Sequence, residues 1–435
     1  MSKLKEKLQQ KIEEWRPRTE RLLKEYGDVK LDEVTIKQVL GGMRGIKSLV
    51  TDISYLDPME GIRFRGYTIP EVIKALPRPE GAEYPYVEAH IYLLLTGEIP
   101  TDEDIEDFFV DFNARKGAPE YVFDVIKALP KDTHPMVMFS SAVLAMQRES
   151  VFKKKYNEGL KKADYWDSTY EDAMNLLSKL PQIAAFIYRH KYKNGDIIPL
   201  NRELGMGGNF AHMMGIDKPY DDVSRLYFIL HSDHESGNVS AHAGYLISSA
   251  LSCIYYSISG MTNGLAGPIH GLANQEVLRW IQGVMDKVGK ENPSEEEIRK
   301  FVWDTLESGQ VVPGYGHAVL RRTDPRYMAQ REFSLKHLSD DPIFRYVDLL
   351  YKIVPDVLKQ QGKAKNPWPN VDAQSGVIQW YYGVQEYDFY TVMFAVSRAI
   401  GVCANIIWAR ALGYPIERPK SVTTDMLEES AGIRN

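Results

Sequence analysis

The segment Phe389–Trp408 carries a single charged residue, Arg398, in a run as long as the ~20 residues a membrane-spanning helix needs. A helix that is apolar on every side has to be buried, either in protein or in lipid. A guanidinium at its middle then requires an anion beside it. The stretch Val239–His270 poses the same choice, because it contains no Asp, Glu, Lys or Arg. Its many Ser, Gly and Asn residues and its Gly267-Pro268 ending are foreign to a membrane span. Both stretches read as helices enclosed by protein, and the anion for Arg398 must come from the protein or from a ligand.

The rest of the chain is large enough to enclose them. Its 435 residues suit two or three domains at roughly 150 residues each. The net charge of -6, from 53 Lys plus Arg against 59 Asp plus Glu, lacks the basic excess of a nucleic-acid binder but admits an anionic small substrate. Cys253 and Cys403 sit in apolar surroundings with no C-x-x-C motif, which favours buried thiols in a reducing compartment. Met1–Tyr26 is charge-dense and rich in Glu, unlike a secretory signal or a mitochondrial presequence. The expected place is the cytoplasm, or an organelle whose presequence is missing.

Helical spacing dominates. Leu4, Leu8, Ile12 and Trp15 follow Ser2 on one face, and Pro17 is expected to bend or end that helix. Gly97 stops an apolar helix over Tyr86–Leu95, Thr101 with Asp104 forms a capping-box variant, and a helix from Pro219 leads to His231. Asn292-Pro293-Ser294 opens a polar helix over Glu295–Glu307 that Gly309 closes. Strand signals are confined to Val34–Ile69, where Ile62-Arg63-Phe64-Arg65 alternates. The chain is predominantly α and lacks the alternating pattern of a doubly wound nucleotide fold. Gly205-Met206-Gly207-Gly208 does not complete G-x-G-x-x-G, Gly41–Ser48 is not a P-loop, and no G-x-S-x-G elbow occurs.

Of ten histidines, His231, His234, His242, His270 and His317 fall within one stretch. His231-Ser232-Asp233-His234-Glu235 is neither H-E-x-x-H nor H-x-x-E-H and no cysteine pair supports it, so no metal site is expected. The loop Asn263–Gly271 delivers His270 to the start of a helix over Leu272–Trp280, whose positive end favours a neutral imidazole able to donate a hydrogen bond to an enolate oxygen. The glycines of Val311-Val312-Pro313-Gly314-Tyr315-Gly316-His317 permit close backbone approach to a ligand, or simply a turn. Arg321, Arg322 and Arg326 form either a solvated run or an anion site. Asp372 lies on the stiff loop Lys365-Asn366-Pro367-Trp368-Pro369-Asn370-Val371, as a base tuned by burial or as a turn-forming or helix-capping residue. The residues alone thus describe a helical protein with a proton-abstraction site facing an anionic substrate. A metal-binding helical protein without catalysis is the alternative.

The strings at 231–235, 263–271, 312–317 and 366–372 resemble citrate synthases of the dimeric eukaryotic, mitochondrial type, and the likeness runs from Gly41-Gly42-Met43-Arg44-Gly45 to Glu417-Arg418-Pro419-Lys420-Ser421. The resemblance implies an all-α, multi-helical two-domain citrate synthase fold, with minor short β strands near the N-terminal part. The expected large domain is 1–272 with 383–435, and the small domain is 273–382. The implied reaction condenses acetyl-CoA with oxaloacetate and water to citrate and CoA, without metal or redox cofactor. By matching position, Asp372 is the base, His270 binds the thioester oxygen and His317 polarises the ketone. Oxaloacetate would be held by His234, Asn238, His317, Arg326 and Arg398, and by Arg418 donated from the partner of a homodimer, with His231 in support. CoA would meet Arg44, Val311, Val312, Gly314, Tyr315, Gly316, Arg321 and Asn370. Gln374 stands where the mitochondrial enzymes carry His, and Lys162 replaces an Arg expected at the CoA phosphate. A bacterial cytoplasm is the implied location, or the mitochondrial matrix for a form without its presequence, and neither nucleic acid nor membrane is an expected partner. The nearest alternative, 2-methylcitrate synthase, uses propionyl-CoA.

Overall fold

The computed structural model describes residues 2–433. Its hub is the helix Tyr390–Leu412, buried along nearly its whole length. Among the described residues one helical stretch, Tyr387–Leu412, is long and apolar enough to cross a membrane, and 94% of its most apolar window lies inside the protein. Helices Lys3–Tyr26, Val87–Thr96, Tyr165–Leu177, Tyr220–Leu230, Val239–Ser249 and Ile254–Leu265 pack around this hub. A second group, Ala273–Val288, Glu295–Glu307, Pro325–His337, Pro342–Gln361 and Asp372–Tyr381, packs within itself. The apolar run is thus enclosed by other helices, as its length and lone charge require.

Local signals account for many of the boundaries. Thr101 accepts from Asp104 N–H and the Asp104 carboxylate returns to Thr101 N–H, opening Asp102–Ala114. Ser294 and Glu297 do the same for Glu295–Glu307. Gly97, at φ 77°, ends Val87–Thr96. Strands are confined to one antiparallel sheet among the described residues, β1 (Ser54–Asp57), β2 (Gly61–Phe64) and β3 (Tyr67–Thr68), with Ser54 opposite Phe64 and Asp57 opposite Gly61.

Three sequence expectations need correction and a fourth is narrowed. Pro17, expected to bend or end the first helix, does not end it, since the helix continues to Tyr26. Pro17 and Glu13, whose carbonyl loses its donor, are both exposed, so water can take the place of the missing bond. The uncharged stretch Val239–His270 is not one enclosed helix either. It breaks into Val239–Ser249 and Ile254–Leu265 at Leu251, which sits at φ 61°. Arg410 of the hub donates to the freed carbonyls of Ser248 at 2.9 Å and Ser252 at 2.8 Å. Val239, Leu246 and Tyr256 of this pair face outward. The helix after His270 starts at Ala273 and runs to Val288, longer than expected. Asp372 is not a loop residue but the first residue of Asp372–Tyr381.

Candidate active site

One wall is built around Arg398. Its side chain is 1% exposed, and no carboxylate among the described residues lies within ion-pair distance of it. Nε donates to the His231 carbonyl at 3.1 Å, and Nη1 donates to Asn238 Oδ1 at 2.9 Å and Ser240 Oγ at 3.0 Å. Asn238 is held in turn, because its amide donates to the carbonyls of His234 and Glu235 while its oxygen caps Val239–Ser249 through Ala241 N–H at 3.1 Å. Ser240 reaches one residue further. Its N–H points at His270 Nε2 at 3.4 Å and its hydroxyl lies 2.9 Å from the same nitrogen. Nε2 is therefore an acceptor, and the His270 proton sits on Nδ1. Phe394, one turn before Arg398, lies under the guanidinium at 4.7 Å and packs its edge against both His231 and His270.

The other wall is made of two loops joined by backbone. Gly316 N–H donates to Trp368 O at 2.9 Å, Asn370 N–H to Gly314 O at 2.9 Å, and the Asn370 amide to Gly316 O at 3.0 Å. Asn366 and Asp324 N–H add bonds to Leu320 O and Pro369 O. Gly314 is required here: at φ 78°, a Cβ would stand 2.8 Å from Ala373 Cα. His317 Nδ1 accepts from Val319 N–H and Leu320 N–H, each at 3.0 Å, which leaves the proton on Nε2. Asp324 caps Pro325–His337 and grips Arg326 with both carboxylate oxygens, the shortest contact being 2.7 Å. The Asp372 carboxylate makes no hydrogen bond among the described residues, whereas its N–H is held by Asn370 Oδ1 at 3.0 Å.

The two walls share one electrostatic field. His234 and His317 stand edge to face with ring centroids 5.3 Å apart. Burial pushes the His270 and His317 imidazoles down to about 4, helped by Arg398 and Arg326 respectively, so both are neutral at pH 7. His231 falls to about 3 and His234 well below its ordinary value, again through burial with nearby guanidinium charge. His231 Nδ1 donates to Tyr227 O at 3.0 Å, and the Nε2 atoms of His231 and His234 are buried without a partner among the described residues. Burial raises the Asp372 carboxyl to about 6, against the pull of Arg326 and Arg398. Burial likewise lowers Arg398 to about 10, leaving it a cation at pH 7. The site therefore offers a carboxylate base near neutrality, two neutral imidazole donors with assigned tautomers, and two buried cations.

Of the residues singled out in the sequence, His231, His234, Asn238, His270, His317, Arg326, Asp372 and Arg398 meet in this cleft, with Gly314, Tyr315, Gly316 and Asn370 behind it. Val312 is buried, and Val311 projects outward. Arg321 folds back on the carbonyls of Ala318, Val319 and Leu320. Arg44 and Arg418 are exposed, and their side chains make no hydrogen bond or ion pair among the described residues. Gln374 faces away from the cleft and donates to Gln330 O at 3.2 Å and to Ser334 Oγ, tying two helices together. Sequence reading missed Ser240, Phe394 and Asp324. Asp324 was open to inference as an N-cap two residues before Arg326; Ser240 and Phe394 had no local signal.

The family model described as citrate synthase, C-terminal domain, matches residues 42–420. Citrate synthase 4, mitochondrial, of Arabidopsis thaliana is 52% identical over 426 residues, covering 98% of this chain and 90% of that protein. The mitochondrial citrate synthase of Xiphias gladius is 50% identical over 434 residues, covering 99% and 92%. Among solved structures, citrate synthase from Pyrobaculum aerophilum superposes with a TM-score of 0.75 at 27% identity, covering 88% of this chain and 92% of that one. The fold is also that of a Thermoplasma acidophilum citrate synthase solved in ternary complex with carboxymethyl coenzyme A and oxaloacetate, with a TM-score of 0.72, 23% identity and coverage of 90% and 97%.

Proposed function

This chain belongs to the citrate synthase family, and from that premise we propose how its own residues divide the condensation of acetyl-CoA with oxaloacetate and water into citrate and CoA. Asp372 removes a proton from the acetyl methyl, and a carboxyl raised to about 6 is a stronger base than an exposed one while still ionised at pH 7. His270 donates its Nδ1 proton to the thioester oxygen as negative charge develops there. His317 donates from Nε2 to the oxaloacetate ketone as the enol carbon attacks it. Water then cleaves the thioester bond and releases CoA. Proton removal and the charges of enolisation and carbon–carbon bond formation each have a protein group assigned, and the attacking water supplies the proton of the released thiol, so the reading calls for no metal or redox cofactor.

One observation carries this reading: Arg398 is a buried cation that no carboxylate among the described residues meets at ion-pair distance, although the charges of Asp233 and Asp372 reach it, and the Nε2 of His234 in the same cleft is buried without a partner. A dicarboxylate substrate supplies the missing anion, and a guanidinium binds a carboxylate with two parallel bonds. Arg326, Asn238 and His231 complete the pocket. CoA is placed along Val311–Gly316 and Asn370, with Arg44, Arg321 and Lys162 toward its phosphates. We further propose that 273–382 forms a small domain that closes over the cleft against 1–272 with 383–435, excluding water from the enol step.

The protein is also proposed to act as a homodimer in which Arg418 enters the partner's site. Its exposed, unpaired side chain and the outward Leu246 and Tyr256 support this. The location favoured by its named relatives is the mitochondrial matrix, a reducing compartment that suits two buried free thiols. Thiol release that depends on both acetyl-CoA and oxaloacetate, with propionyl-CoA a poorer substrate, tests the assignment. Mixing inactive Asp372→Asn with inactive Arg418→Leu tests the dimer. A shared site restores one active centre in each mixed pair, whereas an Arg418 that served its own chain would leave every centre dead.

A further inference from the structure

The hairpin β1–β2 touches both walls of the site. On one side, Ser54 Oγ donates to the buried Asp233 carboxylate and accepts from Glu235 N–H at 3.1 Å, while Leu56 N–H donates to Glu235 Oε1 at 2.8 Å. Phe64 stands edge-on to His90 at 4.7 Å, and His90 Nε2 meets Ser232 Oγ at 2.8 Å. These contacts hold the 231–235 turn that carries His234. On the other side, the turn between the strands meets the second wall: Pro58 O accepts from Arg321 N–H at 2.7 Å. Gly61 lies directly against Pro325, the residue before Arg326. A Cβ on Gly61 would stand 2.4 Å from both Cγ and Cδ of Pro325, and φ there is +88°.

We propose that Gly61 is a positioning residue for the condensation, because it lets the hairpin serve as the spacer between His234 on one wall and Arg326 with His317 on the other. This rests on the reading that those residues hold oxaloacetate. Pro325 is a rigid ring on the first turn of Pro325–His337, so it cannot swing aside as a flexible side chain would. A methyl at 61 therefore pushes the start of that helix away, and Asp324 and Arg326 move with it as a bonded pair. A displacement of about 1 Å is enough to spoil a bidentate contact and a carbonyl-directed hydrogen bond.

The same sheet contains a matched control. Gly66 has φ +91°, yet a Cβ there would have nothing within 4 Å. Alanine at either position takes a positive φ, and only position 61 meets a wall.

The test uses the full-length enzyme and measures the oxaloacetate Kd, both KM values and kcat for Gly61→Ala, Gly66→Ala and the double variant Gly61→Ala/Pro325→Ala. Gly61→Ala is expected to weaken oxaloacetate binding about tenfold or more. Gly66→Ala should keep oxaloacetate binding near the parent although its Tm falls through its own positive φ, and the double variant should regain most of the loss. Equal oxaloacetate Kd for Gly61→Ala and Gly66→Ala overturns the proposal, as does a double variant no better than the single one. Should Gly61→Ala not fold, Ser54→Ala releases the other end of the hairpin without a clash; a raised oxaloacetate Kd supports the spacer and an unchanged one overturns it. Arg398→Leu separates the two levels of argument. Weakened binding in that variant with a normal Gly61→Ala removes the spacer alone, whereas normal binding in both removes the pocket assignment as well.

Discussion

The two walls of the cleft are built by different means. The wall around Arg398 is a side-chain network on packed helices, in which Asn238, Ser240 and His270 fix one another and the guanidinium through bonds of 2.8–3.4 Å. The wall bearing His317 and Asp372 is a pair of loops stitched by backbone groups, with Gly314 at their closest approach. Their buried cations differ in the same way: Arg326 has its own carboxylate in Asp324, whereas Arg398 has none at ion-pair distance among the described residues. Neutral oxygens and a carbonyl on the packed hub hold the second guanidinium instead.

Removing the base should have the largest effect. Asp372→Asn is expected to lower turnover by about 10³-fold or more while leaving oxaloacetate binding largely intact, and near-normal thiol release would remove Asp372 from its role. The same change should stabilise the fold at high pH. The carboxyl rises from 3.8 to about 6 on folding, so ionisation penalises the folded state increasingly between those values and fully above them. The variant should gain on the order of 2–3 kcal/mol at pH 8 and almost nothing below pH 4, as read from denaturant midpoints.

On the opposite wall, Arg398→Leu should weaken oxaloacetate about 100-fold by calorimetry, since truncating a buried, bonded charge costs several kcal/mol. An unchanged Kd would contradict the carboxylate role. Gly314→Ala tests the loop seam instead. The collision with Ala373 should reduce kcat/KM for acetyl-CoA by roughly tenfold and leave the oxaloacetate Kd less affected. If both substrates suffer equally, the walls are not independent. The pH profile gives a smaller signal: kcat/KM should fall as pH drops through about 6, because Asp372 must be ionised, while His270 and His317 stay neutral down to about 4. Gln374→His should change rates least of all, since Gln374 bonds Gln330 and Ser334 and not the cleft.

Much of this was legible beforehand, and the failures share a cause. Thr101, Ser294 and Gly97 announced helix ends through groups within three or four residues, which is why those boundaries stand. His270 and Asp372 follow from type and context, yet the helix after His270 runs further than its pattern suggests and the one that starts at Asp372 had no signal in the Pro-bracketed loop. The break at Leu251 was invisible because its freed carbonyls are satisfied by Arg410, far away in the chain. Ser240 and Phe394 were missed for the same reason, as ordinary residues made functional by what folds against them.

The lone Arg398 in Phe389–Trp408 by itself required a buried helix and an anion. It could not say whose anion, because periodicity is a local property and pairing at a distance is not. Folding brings Asn238, Ser240 and the His231 carbonyl into contact with the guanidinium, while among the described residues the nearest charges, Asp233 and Asp372, act on it without an ion-pair contact. Three neutral acceptors orient that cation, and the direct carboxylate contact is left for a substrate.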